Sequence, residues 1–182
     1  MQMHVLQRLQ MFWMHGGINN MNDATLLSVL NKLLSYDPIT GMFTYLQANK
    51  RRAVGDIVGT LRGDGYYEVT INYSRYRLHR LAWLLAYGYM PTNHIDHING
   101  NRNDNRIANL REATVSENLQ NQKKATTRNK LGVLGVSYKK GAYEPKIHVN
   151  GKNLYLGRFQ SIEEASDAYI KAKRLHHLYN TL

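Results

Sequence analysis

Residues 93–121 read N-H-I-D-H-I-N-G-N-R-N-D-N-R-I-A-N-L-R-E-A-T-V-S-E-N-L-Q-N, and few folds accommodate such a run. Asn99-Gly100 is the strongest short hairpin signal, and it predicts paired strands at 95–98 and 107–111. Thr114-x-x-Glu117 has capping-box form, so a short helix should begin near Val115, with Asn118 at the end of its first turn. Hairpin followed by helix would gather Asp96, His97 and Asn118 into one pocket. Neighbouring strand residues point to opposite faces, so Asp96 and His97 share a site only if the strand ends or bends between them. An EF-hand loop is excluded. Counted from Asp96, Ile98 falls where an oxygen ligand is needed; counted from Asn99, Leu110 falls where the bidentate Glu should be. The plainer alternative is a solvated loop held by Asx-turns.

A carboxylate, an imidazole and a neutral amide are the groups a one-metal phosphodiesterase uses. At these residues the chain resembles the HNH (ββα-metal) nucleases of the phage and intron-homing kind: D-H-I-N-G-N-R-N-D-N-R-I-A-N-L followed by E-N matches their motif in order and spacing. The resemblance implies His97 as general base and Asn109 as the middle Asn that steadies the loop. It implies Asp96 and Asn118 as ligands of one divalent cation, expected to be Mg²⁺, with Mn²⁺ the alternative. Some relatives carry His where Asn118 stands, whereas Asn is usual in the homing branch. Others brace the motif with Cys-bound zinc, and this chain has no cysteine. Arg102, Arg106 and Arg111 are candidates for holding a DNA backbone.

Charge points to the same partner. The 182 residues carry 24 Lys+Arg against 13 Asp+Glu, a formal net charge of +11. Between residues 123 and 158 only Glu144 opposes the bases, and such a basic stripe suits a polyanion, most commonly nucleic acid. No segment joins a basic face to a long apolar one, and no apolar run reaches spanning length, so no membrane partner is expected. Absent cysteine fits a reducing cytoplasm. Double-stranded DNA is the expected partner of a monomer, and a double-strand break would need a dimer on DNA or a second visit.

Residues 1–20 differ from the rest, with methionines at 1, 3, 11 and 14 and Gly16-Gly17. They read as a disordered or loosely docked extension, with Met21 as an alternative start. Leu26, Leu27, Leu30, Leu33 and Leu34 form a helical stripe capped by Asn22 or Asp23 and stopped by Pro38. A turn at 37–41 leads to a strand at 42–46. Lys50-Arg51-Arg52 is a basic loop, solvated or touching phosphate. A strand at 66–72 pairs with one at 75–78, and 78–87 reads as a helix with Gly88 at C′ and Pro91 beyond. His79-Arg80 opens that helix and belongs to the resemblance, as packing or phosphate contact. His94 reads as an exposed strand residue.

Residues 121–132 are polar and basic, a linker. Beyond them Asn150-Gly151 is a second hairpin signal. A two-residue turn there sets His148 opposite Asn153, Ile147 opposite Leu154 and Lys146 opposite Tyr155. Ile147, Val149, Leu154 and Leu156 then share one face. Ser161-x-x-Glu164 caps a helix whose Ile162, Ala165, Tyr169, Ala172 and Leu175 would cover it. L-G-V-S-Y-K-K, K-I-H-V-N-G-K-N-L-Y-L-G-R-F and E-E-A-S-D-A-Y resemble an AP2 DNA-binding domain. The resemblance implies DNA contacts from Ser137, Lys139, Lys146, His148, Asn153 and Tyr155. Asn153 and Tyr155 replace typical Arg and Trp, and Pro145 is expected to interrupt the middle strand, so phosphate contacts are favoured over base reading.

The expected fold is α+β. An N-terminal helix and β-hairpin region joins a ββα-metal centre in a nuclease domain at 21–120, with core motif 93–121. A three-stranded antiparallel sheet on one helix follows at 133–182. The expected function is a metal-dependent DNA endonuclease of the HNH homing type. The alternatives are a DNA-binding protein on a silent HNH scaffold and a structural RNA-binding protein.

Overall fold

The computed structural model describes residues 21–182, so the extension expected at 1–20 lies outside the described residues. Among the described residues the architecture is mixed, with four α-helices and small antiparallel sheets. Helix α1 (Asp23–Leu33) is capped by Asn22, whose side chain accepts from the Thr25 N–H at 2.8 Å. The helix ends at Leu33, five residues before Pro38, the expected stop. Leu34 turns to extended backbone (φ −131°) and opens strand β1 (Leu34–Tyr36), which pairs with β2 (Phe43–Tyr45). A second sheet has the order β3 (Thr60–Leu61), β4 (Tyr67–Ile71), β5 (Ser74–Arg77). It runs directly into α2 (Leu78–Tyr87), which closes on Gly88 at φ 83°.

Leu26 and Leu30 of α1, Phe43, Val69, Ile71 and the buried face of α2 build one core with Ile95 and Leu110. Burying each such side chain contributes about 1.5–3 kcal/mol. That core fixes the next unit against α2. Strand β6 (His94–His97) pairs antiparallel with β7 (Leu110–Ala113), and α3 (Val115–Gln120) follows. Thr114 and Glu117 form the expected capping box.

The strands β6 and β7 are not joined by a two-residue turn. Leu110, not Ile107, starts the second strand, and 107–109 form a 3-10 turn inside a long loop from 98 to 109. The N-terminal hairpin props this loop. Tyr36 Oη donates to the Asn105 carbonyl at 2.8 Å, and the Ile107 N–H donates to the Pro38 carbonyl at 3.1 Å. Gly41 is required here: with φ 75°, a Cβ would lie 2.4 Å from the Arg106 nitrogen.

The third sheet has the order β10 (Lys152–Tyr155), β9 (Ala142–Val149), β8 (Val136–Lys139) and packs on α4 (Ile162–His176). The register at Asn150-Gly151 is the expected one: His148 opposes Asn153, Ile147 opposes Leu154 and Lys146 opposes Tyr155. Three expectations change. Pro145 does not break β9, which runs through it. Its carbonyl accepts from the Leu156 N–H at 3.1 Å. Tyr143 donates to Phe159 on the same side, so the donor Pro145 lacks would fall where β10 has already turned away. On α4, Lys173 takes the inward place expected of Leu175: Lys173 is 1% exposed and Leu175 75%. Its stem fills the core and its ammonium donates to the Gln122 carbonyl. Leu154, expected under the helix, stays 43% exposed.

Candidate active site

Asp96 and His97 close strand β6, both buried, and strand alternation sends them to opposite sides. Asp96 faces β7 and α3. Its Oδ2 accepts from Arg111 Nε at 2.8 Å and Nη2 at 2.7 Å. Asn121, just past α3 and 5% exposed, sets its Nδ2 3.1 Å and 3.0 Å from the two carboxylate oxygens and donates to the His97 carbonyl at 2.9 Å. Register places Arg111 directly across from Asp96, which is why this arginine is the partner. Arg111 also donates to the Tyr179 carbonyl at 2.7 Å, with its guanidinium 4.3 Å from the Tyr179 ring centre.

His97 faces the other way: the strand neither ends nor bends between the two residues, so Asp96 and His97, expected in one pocket, meet separate sets of partners. The His97 Nε2 lies 3.3 Å from Asn105 Oδ1, and its ring centre is 5.2 Å from His79 and 5.8 Å from Tyr66. An amide oxygen only accepts, so Nε2 carries the proton and Nδ1 keeps its lone pair, with no hydrogen bond to it among the described residues. Burial pulls the His97 imidazole below its ordinary value, against the opposing pull of Asn105 and of Asp96. His79, at the start of α2, is held lower still, at about 3, by burial first and then by His97, Arg80 and Arg77. Two neutral imidazoles therefore meet here at neutral pH. Tyr66 packs against both, with Arg77 and Arg102 over its ring at 5.2 Å and 5.0 Å.

The loop that carries Asn105 is held by side chains rather than by a strand ladder. Asn109 Oδ1 accepts from the Asn99 N–H at 2.9 Å, and its Nδ2 donates to the Asp104 carbonyl at 2.8 Å. Asn99 Nδ2 donates to Asp104 Oδ2 at 2.7 Å. Arg106 holds the Asp104 carboxyl down at about 2, and both its Nε and Nη2 reach that carboxylate.

The three arginines proposed for backbone contact each have an internal partner. Arg102 donates to the Asp64 carbonyl at 2.6 Å and Arg106 to Asp104, and both stay exposed; Arg111 is half-buried beneath Tyr179. Asn118 sits in the first turn of α3, half-buried, with no hydrogen bond to its side chain among the described residues. Asn105, Asn121, Tyr66, Tyr179 and Thr181 carried no assigned role in the sequence. Asparagine is so frequent in this run that residue type alone could not say which amides turn inward.

Among the described residues no three His, Cys, Asp or Glu side chains converge to hold a metal. A cation would rest on fewer such ligands, completed by an amide, water and phosphate. The donors suit that role. Among the described residues Asp96 Oδ1 accepts from Asn121 alone, Oδ2 takes both Asn121 and the arginine, and the Asn118 amide is unengaged. A small hard cation that retains several waters fits this set.

Ser137, Lys139, Lys146, His148, Asn153 and Tyr155 fall on one face of the third sheet, as the register and alternation require. A groove of about 390 Å³ runs between α3 and this unit, lined by Ser116 and Gln120 on one side and Lys146, His148 and Asn153 on the other.

A family model described as HNH endonuclease matches residues 76–120, which span α2 to α3. An uncharacterized HNH endonuclease of Acanthamoeba polyphaga mimivirus is 30% identical over 131 residues, covering 71% of this chain and 67% of that protein. No solved structure matches. No helix among the described residues is long and apolar enough to cross a membrane. With strand, loop, strand and helix carrying Asp96, His97, Asn109 and Asn118 inside the matched span, the chain belongs to the HNH endonuclease family.

Proposed function

We propose that this enzyme is a metal-dependent DNA endonuclease of the homing type, working in the cytoplasm of a bacterial or phage-infected cell. His97 is its general base, and Asp96 and Asn118 hold a divalent cation, Mg²⁺ or Mn²⁺. The observation that carries the reading is the His97 ring, buried at a strand end with Nε2 on Asn105 and kept neutral by burial. A neutral imidazole accepts a proton, which is the requirement for activating water. His97 Nδ1 takes that proton, the water oxygen bonds to phosphorus, and one phosphorus–oxygen bond breaks to leave a phosphomonoester and an alkoxide, which takes a proton from solvent to become the hydroxyl. A bound divalent cation supplies stabilisation of the charge gathering on the phosphate and the leaving oxygen. Asn109 keeps the loop folded under His97, and Arg102 and Arg106 lie exposed beside it to meet the backbone.

Residues 133–182 act as an AP2-like DNA-binding unit; of the linker 121–132, Asn121 is taken up by Asp96 and the Gln122 carbonyl by Lys173, and the remainder tracks the duplex. Support comes from the single face shared by Ser137, Lys139, Lys146, His148, Asn153 and Tyr155, and from the groove leading to α3. The protein binds as a monomer; cutting both strands takes a dimer or two visits. One observation favours the silent-scaffold alternative: both Asp96 oxygens already have protein partners. A supercoiled-plasmid assay decides. Nicked or linear product only with Mg²⁺ supports the enzyme, and a gel shift without product supports the scaffold. His97→Ala should lower cleavage by about 10²–10⁴-fold with binding unchanged. Wild-type cutting by that variant would remove His97 from the mechanism.

A further inference from the structure

The segment after α4 does not stay with the third sheet. Lys173 donates to the Gln122 carbonyl, and His177 Nε2 lies 2.8 Å from the His148 carbonyl. The chain then crosses to the nuclease centre. The Tyr179 carbonyl accepts from Arg111 at 2.7 Å, and its ring lies beneath that guanidinium. Thr181 Oγ1 lies 2.8 Å from Asn121 Oδ1 and 3.0 Å from the Ile98 carbonyl.

These contacts bear on one carboxylate. An asparagine amide has a donor end and an acceptor end of nearly the same shape, and its partners decide which way it faces. Thr181 gives a proton to the oxygen end of Asn121. The nitrogen end is thereby turned toward Asp96 and the His97 carbonyl, where an amide oxygen would meet only acceptors. Tyr179 does the same for Arg111: with Nη2 shared between the Tyr179 carbonyl and Asp96, the guanidinium is drawn to Oδ2. Oδ1 is left with one contact among the described residues.

We propose that residues 179–181 are a strap that positions Asp96, Thr181 acting through Asn121 and Tyr179 through Arg111, so that Oδ1 stays presented to a divalent cation. This rests on Asp96 being a cation ligand, as proposed above. Thr181 and Tyr179 are positioning residues, because neither touches the reacting atoms. The strap also joins the third sheet and α4 to the cleavage centre through covalent chain, so the unit proposed to hold DNA is mechanically continuous with the acid proposed to hold the ion.

The test is Mn²⁺ titration of the full chain by electron paramagnetic resonance, without DNA, alongside a metal-free gel shift and a thermal melt. Thr181→Val keeps the shape and removes the donor; Thr181→Ser keeps the donor. Loss of a partner behind a metal ligand typically weakens metal binding about 10–100-fold, and that loss is expected for Thr181→Val. Thr181→Ser should bind Mn²⁺ within about threefold of wild type, well inside that range. DNA affinity should stay unchanged in both; the melting temperature should stay unchanged for Thr181→Ser and fall for Thr181→Val by no more than the loss of one part-buried hydrogen bond, with the fold intact. Asp96→Asn separates the two ideas. If Asp96→Asn abolishes Mn²⁺ binding while Thr181→Val leaves it unchanged, the strap is overturned and the cation reading stands. If Asp96→Asn binds Mn²⁺ like wild type, the cation reading fails and the strap's role fails with it.

Discussion

The chain contains two Asn-Gly pairs, and they do different things. Asn150 and Gly151 are both left-handed, at φ 49° and 78°, the two-residue turn whose twist matches paired strands. At Asn99-Gly100 only the glycine is left-handed, at φ 75°, and its N–H donates to the His97 carbonyl to end a turn rather than build a hairpin. The difference lies in what surrounds Asn99. Its N–H goes to Asn109, its side chain to Asp104 and Asn101, and its carbonyl accepts from Lys123. Distant partners claim the groups that a hairpin would have used locally. The turn at 150–151 has no such claimants, with open space around Gly151. A local signal holds where nothing competes with it.

Three measurements sharpen that contrast, taken from the largest effect down. Asn109→Ala strips both ends of the amide that clamps the active loop, leaving the Asn99 N–H and Asp104 carbonyl unpaired. It should lower unfolding stability in urea by about 1–3 kcal/mol and cleavage with it. An equivalent loss from Asn153→Ala, on the exposed hairpin, would erase the distinction between the two regions.

Acid should act on the same side of the molecule. His79 and His97 are buried with lowered values, so in this pH range the unfolded chain binds more protons than the folded one. Their contribution is intact above about pH 6.5 and is lost as pH falls below it, by up to about 1.4 kcal/mol per unit for each histidine. Hydrogen exchange between pH 7 and 4 should rise around 97–109 before it rises in β9 and β10, where His148 is exposed. Uniform opening would count against the buried pair as the cause. Cleavage should show the matching acid limb, with its midpoint below the ordinary histidine value.

The smallest effect separates the glycines themselves. Either Gly→Ala change costs about 1–2 kcal/mol from left-handed backbone. Gly100→Ala should cost slightly more than Gly151→Ala, because its Cβ would meet Lys123 Cδ at 3.1 Å. Thermal melts of the two variants side by side test this, and a larger loss at Gly151 would reverse the ranking.

Much of the fold was legible in the chain. Helix α2 at 78–87, the capping box of α3, the N-caps of α1 and α4, and the register around Asn150-Gly151 depend on neighbours a few residues apart, and they came out as the spacing required. The candidate site was legible as a set of residue types, and the family motif named Asp96, His97, Asn109 and Asn118. Its interior was not. Nothing in the run distinguishes Asn105 or Asn121 from Asn101 or Asn103, and only burial does so. Lys173 stands outside the expected apolar stripe of α4 and yet lies in the core, because an ammonium bonded to the Gln122 carbonyl lets its stem be buried.

By itself, then, the sequence determined the local elements and the inventory of the site: hydrophobic spacing, capping residues and turn preferences act over one or two turns of chain. The tertiary structure decided which groups meet. It set Arg111 and Asn121 on Asp96, His79 and Tyr66 beside His97, and the 179–181 segment across the back of the centre. Those pairings join residues up to 85 positions apart, as Asp96 to Thr181 through Asn121, and packing of distant elements selects them, not any pattern along the chain.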